Sequence, residues 1–221
     1  MLNFRFAIID VDGTIFDNKK VYRKILKRVL NSNSDSFLSQ FYFASLEGSR
    51  PGSIFWLRKK LNNLTYAFFE KIDIKRPKIF KGARKFLEKL NESNIKIFAS
   101  TGSTIERIKR MMKRAKIFSF FELILGREIL KAEHICLFAK HLNMDVSEFS
   151  RQVIYIGDEP TDMILAKKFG AYGIGITNTF SSRLLREFGA KKIISDFKEL
   201  INLYGEPTKK KTTRKARQAV V

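Results

Sequence analysis

The sequence predicts an α/β fold: a parallel β-sheet flanked by helices, with a block of helices inserted after the first strand. Three observations carry that expectation. From residue 77 onward, short β-branched and aromatic runs alternate with stretches whose apolar residues recur at helical spacing. Those runs end in Gly, Ser, Thr or Asp, the residues of turns and helix caps. Residues 18–76, in contrast, carry helical periodicity and no convincing strand. Strands separated by helices pair in parallel through right-handed crossovers.

The elements follow in order. Residues 4–9, Phe-Arg-Phe-Ala-Ile-Ile, read as a short buried strand that ends at the turn Asp10-Val11-Asp12-Gly13-Thr14. In the inserted block, Val21, Ile25, Leu26 and Val29 share a helical face, and Phe37, Leu38, Phe41 and Leu46 continue the pattern after a polar break. Residues 54–61 and 64–72 add two amphipathic stretches. Beyond the block, helices are expected at 82–91, 103–115, 132–142, 161–169, 182–188 and 197–203. Strands are expected at 95–99, 123–125, 153–156, 172–176 and 193–194. Asp145 and Glu148 make a capping pair for one further turn. The expected organisation is a Rossmann-like core domain over residues 1–17 and 77–205, a helical cap domain over 18–76, and a tail over 206–221. The tail is basic, polar and aperiodic, and is read as lacking structure.

Composition narrows the class. At 221 residues and 44% hydrophobic, the chain suits one domain with a small inserted lobe, its core made unusually aromatic by 21 Phe. The single cysteine, Cys136, excludes an intrachain disulfide and fits a reducing compartment. It lies in an apolar helical pattern, as a buried thiol does. No run approaches the roughly 20 apolar residues of a membrane span. The first strand begins almost at once, leaving no room for a cleaved signal, so a cytoplasmic protein is expected. The net charge is +21, with thirteen cations against four acids in the inserted block. Such a charge attracts polyanions or phosphorylated ligands, and it equally marks a lysine-rich proteome. His134 and His141, seven apart on one expected helix, read as surface or packing residues, and no Cys/His cluster has zinc spacing.

Four groups of polar residues fall at or shortly after the ends of expected strands. Asp10 and Asp12 follow the first, Ser100 and Thr101 the second, and Lys131 comes soon after the third. Gly157-Asp158-Glu159-Pro160-Thr161-Asp162 follows the fourth. Each has an ordinary reading alone, as a turn, a helix cap or a solvated lysine. Together they assemble hard oxygen ligands for Mg²⁺, a hydroxyl and backbone amides for a phosphate, and a lysine to offset negative charge. Open α/β sheets bind ligands at the carboxyl ends of their strands.

In these motifs the chain resembles the haloacid dehalogenase superfamily of phosphohydrolases, over residues 4 to about 204. The motifs are Asp10-Val11-Asp12-Gly13-Thr14, Phe98-Ala99-Ser100-Thr101-Gly102, Lys131, and Gly157-Asp158 followed by Asp162. The helical insertion resembles a C1-type cap, and residues 157–200 resemble the phosphoglycolate phosphatase branch. The resemblance implies that Asp10 is the nucleophile and that Asp12 protonates the leaving alcohol and then deprotonates water. It implies Mg²⁺ held by Asp10, the Asp12 backbone carbonyl and Asp158, with Asp162 supporting from behind. It implies phosphate held by Ser100 and the Thr101 amide, with Lys131 orienting Asp10 and the phosphate. A shift of one position would make Thr101 the hydroxyl donor. Two positions depart from the branch: Ala132 stands where Pro usually follows the lysine, and Asn178-Thr179 replace a frequent aromatic.

The carboxylate at position 12 sorts among the superfamily's reactions, since dehalogenases and phosphonatases lack it. The expected activity is Mg²⁺-dependent hydrolysis of a small phosphate monoester, resembling phosphoglycolate or a sugar phosphate. A hexose phosphate mutase is the alternative enzyme, and a polynucleotide 3′-phosphatase or a nucleic-acid-binding protein would use the basic surface. Specificity falls to the cap, where Arg50 in Ser49-Arg50-Pro51-Gly52 is placed to pair with a substrate anion.

Overall fold

The computed structural model describes residues 4–17 and 77–204. The expected cap at 18–76, with Arg50, and the basic tail lie outside the described residues. Through the core the chain runs β1 (Phe6–Asp10), α1 (Ala83–Glu92), β2 (Lys96–Ser100), α2 (Ile105–Arg114) and β3 (Phe121–Leu125). It continues with α3 (His134–His141), α4 (Val146–Arg151), β4 (Val153–Gly157), α5 (Pro160–Phe169) and β5 (Tyr172–Ile176). It closes with α6 (Ser182–Glu187), β6 (Lys192–Ile194) and α7 (Lys198–Tyr204). Short 3₁₀ turns at Phe118–Phe120 and Lys131–Glu133 precede β3 and α3.

All six strands are parallel, in the order β3-β2-β1-β4-β5-β6. The chain builds outward from β1 to one side and then returns to build the other. That reversal opens a crevice at the carboxyl end of β1, where such sheets take their ligands. The register aligns Asp10 with Ser100 and Ile9 with Ile156, so the polar turns after β1, β2 and β4 share one sheet edge.

Every residue of β1 and β4 is buried, which is why both read as unbroken apolar runs rather than alternating ones. Side chains still alternate between the two faces. Ala7, Ile9, Ile97, Ala99, Ile154 and Ile156 cluster with Phe86 and Leu90 of α1 and with Ile108 and Met111 of α2. On the other face Phe6, Ile8, Phe98 and Tyr155 cluster with Phe138 of α3, Phe149 of α4 and Ala166 of α5. The aromatic content shows here, with the Phe98 ring 4.8 Å from Phe138 and the Phe6 ring 4.9 Å from Phe149.

Local chemistry sets the boundaries. Pro160 occupies the first turn of α5, where its missing N–H costs nothing, and Gly170 ends that helix at φ 78°. Asp145 caps α4 by accepting from the Ser147 and Glu148 amides, so Glu148 contributes its backbone to the expected capping pair. The helix expected from residue 132 begins instead at His134, after the 3₁₀ turn that carries Lys131. The one expected from residue 103 begins at Ile105, leaving Ser103 in the loop after β2. Among the described residues, no helix is long and apolar enough to cross a membrane.

Candidate active site

Asp10 ends β1, 3% exposed, with its Oδ1 accepting from the Lys131 ammonium at 2.7 Å. Lys131 arrives from the 3₁₀ turn after β3 and also sits 2.8 Å from Asp162 Oδ1. Asp158 and Asp162 come from the loop after β4 and the first turn of α5, and both are buried. Carboxylate oxygens of Asp10, Asp158 and Asp162 lie within 4.8 Å of one another. The structure thus brings together four residues from three separate stretches of the chain.

Each carboxylate is held by identifiable partners. The Thr14 hydroxyl donates to Asp158 Oδ1 at 2.9 Å, and the Thr179 hydroxyl also bonds Asp158. Asp162 accepts from the Glu159 amide through Oδ2 as half of a capping box, which leaves Oδ1 facing Lys131. Gly13 turns the chain back at φ 84°, and any Cβ there would lie 2.3 Å from Asp158 Oδ2. Only glycine lets the β1 turn approach Asp158 so closely. Asn178 donates to the Gly13 carbonyl at 2.9 Å, bracing the same turn. The two positions that replace the branch's usual aromatic therefore both support the site.

Crowding carboxylates in a dry edge has an electrostatic cost. Burial raises Asp10 well above the ordinary carboxylate range, against the pull of Lys131, with Asp162 and Asp158 adding repulsion. Burial, then Glu159, pushes Asp158 up to about 8, partly offset by the Thr179 and Thr14 hydroxyls. Asp162 is raised by burial, with Lys131 opposing. Burial pulls Lys131 down, but Asp10 and Asp162 together outweigh it and raise the lysine above its ordinary value, so it is held charged. Lys131 neutralises only part of the negative charge. Asp10 Oδ2 is buried and makes no hydrogen bond among the described residues. Asp10, with its orphaned Oδ2, and Asp158 are hard oxygen donors that fit a divalent cation of the Mg²⁺ type, with Asp162 packed beside them.

Asp12 points to a different set of partners. Its Oδ2 accepts from the Ser103 hydroxyl at 2.6 Å and the Thr101 hydroxyl at 3.2 Å. Arg107, from α2, donates to both carboxylate oxygens at 3.0 and 3.2 Å and to Ser103 Oγ at 2.7 Å. Thr101, buried just past the end of β2, therefore lies beside Asp12. Ser100 does not: its hydroxyl sits 2.9 Å from His134 Nδ1 and accepts from the Tyr155 hydroxyl at 3.1 Å. Adjacent strand residues face opposite ways, and the Asp10–Ser100 register turns Ser100 toward Tyr155.

Sequence reasoning passed over four of these residues. Arg107 is 1% exposed within the apolar stripe of Ile108, Met111 and Met112, and a charge at such a position is the signal that could have found it. Ser103 left none beyond a hydroxyl near a helix start, and Tyr155 reads as a strand aromatic. His134, taken for a surface or packing residue, is buried and fully hydrogen-bonded.

Comparison with known proteins agrees with this architecture. No curated protein sequence matches the chain. Among solved structures it is similar to a predicted phosphatase from Clostridium acetobutylicum, at 22% identity and a TM-score of 0.70, covering 92% of this chain and 99% of that one. A haloacid dehalogenase-like family hydrolase from Streptococcus pneumoniae is similar at 18% identity and a TM-score of 0.70, covering 92% and 100%. A predicted phosphoglycolate phosphatase from Haemophilus somnus is similar at 17% identity and a TM-score of 0.62, covering 92% and 99%. At these identities the likeness establishes the fold. The family described as haloacid dehalogenase-like hydrolase matches residues 7–176, which contain all four motifs, and the chain belongs to that family.

Proposed function

We propose that the protein is a Mg²⁺-dependent phosphatase that hydrolyses a small phosphate monoester through an aspartyl-phosphate on Asp10. The observation that carries this reading is the pairing of Asp10 with Lys131 at a sheet edge where Asp158 and Asp162 crowd the same volume. The Asp10 carboxylate attacks phosphorus, and the bond from phosphorus to the ester oxygen breaks. Asp12, protonated, gives its proton to the departing alkoxide, then takes one from the water that attacks the phosphoryl group. Phosphate leaves and Asp10 is regenerated.

Asp10, Asp158 and the Asp12 backbone carbonyl would hold the cation, which supplies charge neutralisation between an anionic nucleophile and an anionic ester. Asp162, with Oδ2 occupied by the Glu159 amide and Oδ1 by Lys131, supports rather than ligates. Both hydroxyls are engaged, Ser100 by His134 and Tyr155 and Thr101 by Asp12 and the Ser103 amide; Thr101, as the one beside Asp12, is the proposed hydroxyl for the phosphoryl oxygens. Lys131 favours the ionised form of Asp10 against the effect of burial and adds a positive charge at the phosphoryl group. A carboxylate at position 12 favours an alcohol leaving group over a halide, because only the former needs a proton. Phosphatase names among the structural relatives support the same reaction class. Arg50, outside the described residues, is the proposed contact to the rest of the substrate.

A phosphate-release screen over small phosphomonoesters, with and without Mg²⁺ and beside Asp10→Asn, tests the reading. Release is expected from the wild type only with Mg²⁺, and roughly a thousand-fold less from the variant. Equal release from both would remove Asp10 from the reaction.

A further inference from the structure

We infer that His134 is a positioning residue: its buried imidazole ties the loop that delivers Lys131 to the two strands flanking Asp10. The inference rests on the proposed role of Lys131, but its geometry stands apart from that role. His134 is 1% exposed. Its Nε2 lies 3.1 Å from the Gly126 carbonyl and 3.2 Å from the Ile129 carbonyl, both in the loop between β3 and Lys131. Carbonyl oxygens only accept, so Nε2 carries the hydrogen. A neutral ring then offers Nδ1 as an acceptor, and the Ser100 hydroxyl donates to it at 2.9 Å. Ser100 in turn accepts from Tyr155 at 3.1 Å. Burial holds His134 below the usual imidazole range, with Lys131 nearby acting in the same direction, which keeps the ring neutral.

The four groups form a one-way chain: Tyr155 of β4 donates to Ser100 of β2, Ser100 to His134, and His134 to the loop. β2 and β4 are the two neighbours of β1. The chain therefore fixes the lysine's loop against the strands on either side of the nucleophile. The loop needs such a tie. Leu130, just before Lys131, is 71% exposed, and Ala132 follows the lysine where the branch usually has a proline to stiffen the turn. A hydrogen-bonded ring three residues downstream supplies the rigidity that the missing proline does not.

The test reads Lys131 itself. Wild type and His134→Ala are treated with an amine-acylating reagent, and modification of Lys131 is measured by peptide mass spectrometry against exposed Lys109 as internal standard. Losing a buried hydrogen bond is expected to raise relative modification of Lys131 about ten-fold. His134→Gln, which keeps a donor near the Nε2 position, is expected to stay within about three-fold of wild type. Turnover of a phosphomonoester in His134→Ala is expected to fall about ten-fold in kcat with little change in KM. Unchanged Lys131 modification in folded His134→Ala would overturn the inference, whatever the protein's activity. If that variant cannot be purified, Ser100→Ala decides: it cuts the tie to both strands while leaving His134 on the loop carbonyls, and modification at the wild-type level there would be equally fatal. A protein without phosphatase activity but with the acylation change would keep the positioning role and sink only the reaction assignment.

Discussion

Arg107 Nη1 lies 3.0 Å from Oδ1 and 3.2 Å from Oδ2 of Asp12, a cation 2% exposed set against a carboxylate 23% exposed. Such an Arg cannot be left without anionic company at low cost, and Asp12 is the acceptor it reaches. Ser103 closes the triangle, donating to Asp12 and accepting from Arg107. The carboxylate two residues past Asp10 is therefore held in one orientation from the α2 side.

Replacing Arg107 with Met should separate orientation from packing. Met refills the apolar stripe of α2, and Asp12 can regain water through its exposed edge, so stability is expected to fall by only about 1–3 kcal/mol. Turnover depends on where Asp12 points, and kcat is expected to drop at least about ten-fold while KM changes little. Thermal unfolding and steady-state kinetics on one preparation check both halves. A variant with wild-type kcat would make Arg107 a purely structural residue.

The carboxylate cluster predicts an unusual pH profile for the metal-free protein. Asp158 is raised from its ordinary 3.8 to about 8 in the fold, so the folded state binds its proton more tightly than the unfolded chain. Stability from this group is fully present below the unfolded value and is lost as pH rises through about 8. Asp10 and Asp162 are shifted in the same direction. Metal-free protein should therefore lose stability between about pH 4 and pH 8, and Mg²⁺ should restore more of it at pH 8 than at pH 5. Thermal unfolding across that range, with EDTA or with Mg²⁺, measures it. Asp158→Asn should flatten the slope and the Mg²⁺ response together; a metal-free protein most stable at pH 8 would contradict the prediction.

Much of the fold was legible in the sequence because both faces of the sheet are covered. Strands such as residues 153–157 then appear as continuous apolar runs, and the turns between them carry polar residues in order. Asp10, Asp158, Asp162 and Lys131 could be singled out in advance because each follows a strand, Lys131 six residues past β3, and because together they resemble the motifs of one family. The choice between Ser100 and Thr101 was not legible. Neighbouring strand residues face opposite ways, and the phase at a strand's last residue is set by the register with β1, which the sequence does not display. His134 was hidden for a similar reason: its partners come from β2 and from a loop several residues upstream. Arg107 was the missed opportunity, a charge inside an otherwise apolar helical face.

That ambiguity gives its own prediction. Thr101→Ala removes a buried hydroxyl beside Asp12. It is expected to weaken inhibition by inorganic phosphate about ten-fold, the loss of one hydrogen bond to a charged group. Ser100→Ala acts on the His134 and Tyr155 side and should leave phosphate affinity within about two-fold. Product-inhibition constants for the two variants check the pair. The reverse ranking would return the hydroxyl role to Ser100.

The account turns on a covalent step at Asp10, and the mass of enzyme quenched in acid during turnover tests it most directly. A phosphoryl group is predicted on the peptide containing Asp10 in the wild type, and none in Asp10→Asn. Phosphate released at a normal rate by wild-type enzyme that never carries phosphoryl on that peptide would contradict it.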